Sequence, residues 1–575
     1  MKFIYKIFLV SLVIAIGACD TDLDLQQDPN AVAPENASIN DLFNSIQLDF
    51  AAAYNAAQAP GGRLARMYFM GNFTYQANTS PAAFNGLWQI AYADLFPDID
   101  ALLELTEANG LDVHSGAVKV MKAYVLMAMV DNIGNIPLNE AGQGTDLISP
   151  SADNGAAVYA GAIALLDEAI AQLSGTSATG PGNDFYYGGD ASKWTRAANT
   201  LRLRAALTTR LVDPSAGATI SSIVSSGNFI SDASDDFQAQ FGSQRTNPNS
   251  RHPLYNNHYE LGDGDYLNNY YMWLLRADKT LDNGAPLVDP RIRYYFYRKV
   301  GESYGLDPTV YSCLQGIPDG LADTRFTPAH WEGINPRLNY CVAWEDGYYG
   351  RDHGNGSGIP PDGPVRTSYG LYPAGGSFDD NSFTDTRQNG TTGGLGAGIY
   401  PIMLSSFVDF MRAEAALTAG TGEDARALLE SGIRKSIAKV QSFESLDAAT
   451  IDRTVVDART GEETNIREVF VPKAEDIDEY VNFVLAEFDG GDATAKLNAV
   501  MKEYYIALWG NGLEAYNLFR RTGMPLGIAP TEEADPGDFI LSFFLPASHV
   551  NRNANATQKT LTERVFWDDG SANTY

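Results

Sequence analysis

Val158-Tyr159-Ala160-Gly161-Ala162-Ile163-Ala164-Leu165-Leu166-Asp167-Glu168-Ala169-Ile170-Ala171-Gln172-Leu173 decides the fold class. Tyr159, Ile163, Leu166, Ile170 and Leu173 recur at steps of four, three, four and three, which draws one apolar stripe down a helix. Such a stripe must be covered by a neighbour, so this helix belongs to a packed set. Working outward, residues 88–105, 118–130 and 194–211 show the same patterning, and Gly134 with Pro137 ends the second of them. Helical patterning returns at residues 401–419, 423–440, 473–488 and 493–509. The chain is therefore expected to be mainly α, and its serial helix hairpins resemble tetratricopeptide arrays without their strict repeat.

Between the two helical stretches the character changes. From Tyr255 to Tyr349, 18 of 95 residues are Phe, Trp or Tyr, against 11% for the whole chain. Residues 350–400 are dominated by glycine and proline, as in Gly354-Asn355-Gly356-Ser357-Gly358-Ile359-Pro360-Pro361, and read as a long irregular loop region with room for small β hairpins. Loops of that length are usually functional or disordered, and the aromatics argue for function in the part before Gly350. The expected organisation is a signal at 1–18, a tether at 19–40, a helical scaffold at 41–230, a loop-rich aromatic lobe at 231–400, and a helical region at 401–575 packing back on the scaffold.

Met1, Lys2 and Lys6 precede an apolar run from Ile7 to Ile16 that is too short to span a bilayer. It reads as a cleaved export signal. Ile16-Gly17-Ala18-Cys19 resembles a bacterial lipoprotein box, in which Cys19 is acylated and becomes the new N-terminus. Two or three acyl chains on one residue anchor stably, at roughly 0.8 kcal/mol per buried methylene. Asp20-Thr21-Asp22-Leu23-Asp24 follows as an acidic leader. The formal net charge of −31 becomes more negative once Lys2 and Lys6 leave with the signal. Nucleic acid and anionic lipid surfaces, which require a basic footprint, are poor partners for such a chain.

Cys313 and Cys341 are the cysteines that remain. Outside the cytoplasm an even pair at this spacing favours a disulfide, worth about 3 kcal/mol if unstrained, over two free thiols or a metal site. His114, His252, His258, His330, His353 and His549 form no HExxH or other metal spacing, and neither a GxSxG elbow nor a phosphate-binding loop occurs. Asp263-Gly264-Asp265 begins like a calcium loop without its later acidic ligands and reads as a turn. No catalytic residue, metal site or cofactor is expected; no motif supports a structural calcium. The 71 acids guarantee that some carboxylate pair has glycosidase spacing, so counting them proves nothing.

Binding without catalysis asks for exposed aromatic planes flanked by paired hydrogen-bonding side chains. Trp331 with Asn335 and Arg337, then Trp344 with Tyr348 and Tyr349, form the first candidate, on and just after the loop between the cysteines. Asn72-Phe73-Thr74-Tyr75-Gln76, with Phe73 and Tyr75 as its rings, is the second, and residues 266–273 are the third. Trp88, Trp194 and Trp273 are expected to fill the core.

Several blocks then fall into one pattern. They are Val120-Met121-Lys122-Ala123-Tyr124 through Asp131-Asn132-Ile133-Gly134-Asn135-Ile136-Pro137, Lys193-Trp194-Thr195-Arg196 through Arg204, Glu414-Ala415-Ala416, Glu503-Tyr504-Tyr505 through Trp509-Gly510-Asn511-Gly512-Leu513-Glu514 to Gly523, and Leu545-Pro546 with Asn551-Arg552-Asn553. Together with the lipidation box they resemble the SusD/RagB family of outer-membrane nutrient-binding lipoproteins, in its starch-binding-like branch. The resemblance implies a tetratricopeptide-like helical fold, a lipid anchor facing the cell exterior, and a SusC-like TonB-dependent barrel over which the protein sits as a lid. It implies an oligosaccharide cargo more often than a peptide; the lack of a reacting constellation noted above leads to the expectation of no enzyme, with a surface-anchored glycoside hydrolase as the lesser alternative. It also implies that Glu514, Arg520 and Arg521 are buried scaffold residues.

Overall fold

The computed structural model describes residues 38–175, 180–261, 264–299, 334, 347–355, 366–384, 390–456 and 461–572. The signal, Cys19, the acidic leader, Cys313 and Cys341 lie outside the described residues.

Helix α1 (Ile39–Leu64) starts where the Ser38 hydroxyl accepts from Asp41 N at 3.1 Å, and it buries Phe43, Ile46, Phe50, Tyr54 and Ala57. After a π-helical turn (Ile90–Leu95) come α2 (Phe96–Ala108) and α3 (Asp112–Ile133). Helix α3 is apolar nearly all round and buried on every face, as such a helix must be in water. By length and composition it could cross a membrane, yet here α1, α2 and the next helices enclose it. It stops at Gly134, whose φ of 94° ends the helix, as the sequence suggests.

Helix α4 (Gly155–Leu173), capped by Asn154, α5 (Ala191–Thr209), capped by Asp190, and α6 (Ala216–Ser226) follow, each packed on its predecessor. The deep face of α4 is Val158, Tyr159, Ala162, Leu166, Ala169 and Leu173, with Ile163 and Ile170 half-buried at its margins. The expected stripe is thus rotated slightly toward the small residues, which let α3 approach closely.

Strand β1 (Phe237–Gln240), helix α7 (Asn269–Arg276), strands β2 (Phe296–Tyr297) and β3 (Ser368–Tyr369), and strand β4 (Ile399–Met403) occupy the middle of the chain. Strand β1 pairs antiparallel with β4, Ala239 opposite Tyr400, so the chain leaves and re-enters the scaffold at one edge. Strand β2 pairs with β3. Pro401, read as a helix start, lies in β4, and the helix α8 (Ser405–Thr418) begins after it. Helices α9 (Ala425–Gln441), α10 (Ala474–Gly490), α11 (Ala493–Ala507) and α12 (Gly512–Thr522) complete the set. Helix α8 packs on α9 and α11, and α12 lies on α1 and α3, which joins the last helices to the first.

Buried charges hold that junction. The Asp131 carboxylate accepts from Tyr159 Oη and Arg204 Nη2 at 2.5 Å, and from Asn517 Nδ2 and Trp567 Nε1 at 2.9 Å. Arg204 also bonds Glu514 at 2.7 Å, and Glu414 takes both Arg521 and Arg210. Arg520 is equally buried but donates to the Leu541 and Asp131 carbonyls rather than to an acid. Glu514, Arg520 and Arg521 are therefore scaffold; removing one partner of such a pair would leave an uncompensated buried charge at a cost of roughly 3–5 kcal/mol.

Two expectations for the middle segment are corrected. The aromatic enrichment is largely core: Tyr255, Tyr259, Tyr270, Tyr271, Trp273, Tyr294, Tyr295, Phe296, Tyr297, Tyr348 and Tyr349 are all buried. Three of them, Tyr271, Tyr295 and Phe296, gather on Trp509, on which Tyr271 and also Tyr369 stack at 4.9 and 5.1 Å while Phe296 meets it edge-on at 5.3 Å. The glycine-rich residues 367–381 are irregular in backbone yet interior rather than a surface loop. Gly370 shows why: a Cβ there would come within 2.3 Å of the Tyr294 carbonyl, so only glycine lets the two backbones lie side by side.

Candidate functional site

Three chain segments lie side by side at the edge where α1 ends. Tyr68 bridges Leu267, Phe69 N donates to Tyr266 O at 3.0 Å, Arg351 N donates to Leu267 O at 3.0 Å, and Gly354 N donates to Met70 O at 2.9 Å. Residues 67–70, 266–269 and 350–354 thus make a small hydrogen-bonded platform. It takes in the start of the third sequence candidate, and the second follows directly after Met70.

Side chains on this platform interleave rings with guanidinium groups. Phe69 and Tyr266, both half-buried, meet edge to face at 5.8 Å. The Arg351 guanidinium lies 5.4 Å from the Phe69 ring and 4.7 Å from the Tyr266 ring, and Arg366 lies 3.7 Å above Tyr266. Arg366 also donates to the Gly264 carbonyl. At the rim Arg63 and Asp265 form an open ion pair at 2.8 Å. Asp265 therefore serves that pair, while Asp263 lies outside the described residues.

The connection after Met70 turns up from this platform. Asn72 takes a left-handed conformation, φ 55°, which asparagine tolerates, and its Nδ2 donates to Ala77 O at 3.1 Å. Asn78 Nδ2 donates to the carbonyls of Asn72 and Thr74 at 3.0 and 2.7 Å. Tyr75 is corrected from contact to anchor. Its N donates to Pro536 O at 2.9 Å, its hydroxyl accepts from Arg66 Nη2 at 3.2 Å, and its ring packs edge-on to Phe539 at 5.3 Å. Phe73 points the other way and is 48% exposed. Among the described residues only Phe73 and Phe185 are aromatic side chains this open.

Beneath the platform are Asp352 and His353. Burial, the opposing Glu532 carboxylate and, against them, a hydrogen bond from Asn269 at 3.0 Å set Asp352, whose pKa is raised to about 7. Burial, with Arg66 nearby, holds the His353 imidazole neutral, and neither of its nitrogens has a hydrogen-bond partner.

Of the remaining sequence candidates, Tyr348 and Tyr349 are among the described residues. Tyr348 is buried edge-on to Phe296 at 6.2 Å with the Arg298 guanidinium 4.9 Å from its ring, and Tyr349 is buried with its N bonded to Thr367 Oγ1 at 2.7 Å. Neither offers an open face. Trp331, Asn335, Arg337 and Trp344 lie outside the described residues. Trp194 and Trp273 are core as expected, while Trp88 is half-buried at the surface. Sequence reasoning missed Phe69, Arg351, Arg366, Arg63 and Asp265; arginines adjoining aromatic clusters at Tyr348-Tyr349-Gly350-Arg351 were the available signal.

Such a surface can stack a flat apolar face on a ring while arginine, aspartate and asparagine side chains bond hydroxyls or carbonyls around it. Among the described residues no group of three or more His, Cys, Asp or Glu side chains is placed to hold a metal.

Residues 29–335 match the family described as "Starch-binding associating with outer membrane", and residues 397–562 match that described as "Susd and RagB outer membrane lipoprotein". A SusD/RagB family protein from Bacteroides thetaiotaomicron superposes with a TM-score of 0.63 at 17% identity, over 93% of this chain and 100% of that one. A chitin-binding SusD homolog from Flavobacterium johnsoniae gives 0.58 at 19% identity, over 92% and 100%. A SusD homolog from Bacteroides uniformis gives 0.60 at 18%, over 92% and 99%. These identities establish a shared fold, and no curated protein matches the chain. With the first family match alone covering more than half of its length and the second taking up most of the C-terminal helices, the chain belongs to the SusD/RagB family of outer-membrane lipoproteins.

Proposed function

We propose that this protein is a cell-surface glycan-binding lipoprotein, tethered through Cys19, that captures oligosaccharides and passes them to a SusC-like TonB-dependent transporter for which it acts as the lid. The observation that carries the reading is the open Phe73 ring on a connection fixed by its own asparagines, beside the Phe69–Tyr266–Arg351–Arg366 platform. A sugar ring stacks its C–H face on an aromatic plane and bonds its hydroxyls to flanking polar groups, and a pre-ordered loop lowers the cost of holding it. Family membership and chitin-binding relatives of the same fold support a saccharide cargo. Trp331, Trp344, Asn335 and Arg337 are proposed as further contacts on the strength of their sequence.

Isothermal titration of the full mature chain with maltohexaose, chitohexaose and a mixed hexapeptide tests this. Heat is expected with one of the oligosaccharides, and Phe73→Ala and Tyr266→Ala should each weaken binding about tenfold, or about 1.4 kcal/mol. Heat with the peptide alone would move the protein to peptide import. Release of new reducing ends from the bound oligosaccharide would instead make it a hydrolase.

A further inference from the structure

A second ring-lined cavity opens at the π-helical turn, on a face of the scaffold that the reading above does not use. Its volume is about 250 Å³, and its walls include Tyr92, Phe96, Lys122, Asp100, Pro137 and Leu138. The wide turn over Ile90–Leu95 offsets the helix just where Tyr92 leaves it, and π-helical turns of this kind recur at functional sites. Tyr92 Oη donates to Pro137 O at 2.6 Å, Phe96 meets the Tyr92 ring edge-on at 5.4 Å, and Trp88 supports it at 4.6 Å. These walls are therefore set before anything binds. Along the chain between Phe73 and this cavity, the connection is stitched to the C-terminal segment by Tyr75 N to Pro536 O at 2.9 Å, Ala547 N to Pro81 O at 2.6 Å and Ser548 N to Asn85 Oδ1 at 3.0 Å.

We propose that this cavity is a second saccharide subsite that takes one neutral pyranose ring. The volume falls below the roughly 300–1,000 Å³ of sites for larger ligands, which leaves room for a single ring. Its charged groups are one cation and one anion already paired, Lys122 Nζ to Asp100 Oδ1 at 2.5 Å, with Lys122 mostly covered and 5.5 Å from the Phe96 ring and Asp100 open, while the Tyr92 hydroxyl is committed to Pro137 O. An anionic ligand would meet Asp100 and a cationic one Lys122, whereas a neutral vicinal diol can accept from the ammonium and donate to the carboxylate at once. The apolar face of the same ring lies against Tyr92 and Leu138. The class is read from this lining and would stand even if the ligand at Phe73 proved to be a peptide.

Methyl resonances of Leu138 and Leu126 in the full mature chain, labelled at leucine, report on the cavity directly. Titration with D-glucose and N-acetyl-D-glucosamine should give saturable shifts with at least one of them at millimolar concentration, and D-glucuronate and D-glucosamine should give at least tenfold weaker ones. Ala141→Trp, which fills the mouth, should abolish the shifts; Lys122→Met should weaken binding at least fivefold; Phe73→Ala should leave it unchanged. The absence of a saturable shift with either neutral sugar, equal binding of the charged sugars, or indifference to Lys122→Met would overturn the proposal. Loss of oligosaccharide heat in Phe73→Ala with these shifts intact would keep the two sites distinct.

Discussion

Asp352 lies under the binding platform with its charge opposed by burial and by Glu532, and its pKa is raised to about 7. The unfolded chain releases that proton near the ordinary carboxylate value, about 3.9. Between the two values the native state holds the extra proton, so this group's contribution is complete below about pH 4 and is lost as pH rises through 7. His252, buried and lowered to about 3, acts in the opposite sense and loses its contribution as pH falls below about 6.5. The Asp352 signature is therefore read as a difference: the unfolding free energy from urea titration, wild type minus Asp352→Asn, should decline from pH 4.5 to 7.5, by up to about 1.4 kcal/mol per pH unit. A flat difference would show that Asp352 is ionised throughout. At this scale the sequence discriminated poorly between neighbours. Phe73 and Tyr75 sit two residues apart in the same polar context, and only the contacts of Tyr75 with Pro536, Arg66 and Phe539, all distant or around a turn, decide that one is buried and the other open.

At the scale of elements, the connection that carries Phe73 is ordered by Asn72 and Asn78, and Asn78 makes two of the three bonds. Asn78→Ala removes both bonds from its Nδ2 to Asn72 O and Thr74 O. Unfolding midpoints should move little, because the loop is exposed, while oligosaccharide affinity should fall several-fold as the loop's ordering is transferred to binding. The crossing of α1 and α12 gives a prediction of opposite character. A Cβ on Gly512 would lie 2.3 Å from Gly62 N and 2.5 Å from Gln58 O, both backbone atoms that cannot swing aside. Gly512→Ala should therefore destabilise by about 3 kcal/mol or more, whereas Gly86→Ala, in open space on a short helix, should be neutral or stabilise by up to about 1 kcal/mol in the same denaturation experiment. Elements whose own stripe is periodic, such as α4, were legible. Helix α1 was not, since Pro60 and the Gly61-Gly62 pair interrupt its pattern at the point where α12 needs those glycines.

Across the whole molecule, Trp509 joins scaffold to middle segment. It follows α11, is fully buried, and receives Tyr68, Tyr271, Tyr295, Phe296 and Tyr369 from four separate stretches of chain. Trp509→Ala should cost about 3–5 kcal/mol and lower the thermal midpoint of scaffold and middle segment together, read by near-ultraviolet circular dichroism. Retention of a native midpoint would mean that the aromatic cluster does not couple them. The sequence alone determined the helical class, the helix end marked by Gly134, the buried role of Glu514 and Arg521, and the family, because stop signals, stripes and motif blocks are local and each carries its own signal. The tertiary structure alone decided which rings face water. Aromatic residues are as suited to a core as to a sugar platform, and the choice for Tyr348, Tyr349 and Tyr75 was made by partners that folding brings from elsewhere in the chain. The platform of Phe69, Tyr266, Arg351 and Arg366 exists for the same reason: segments nearly 300 residues apart are aligned by backbone hydrogen bonds that no spacing in the sequence encodes.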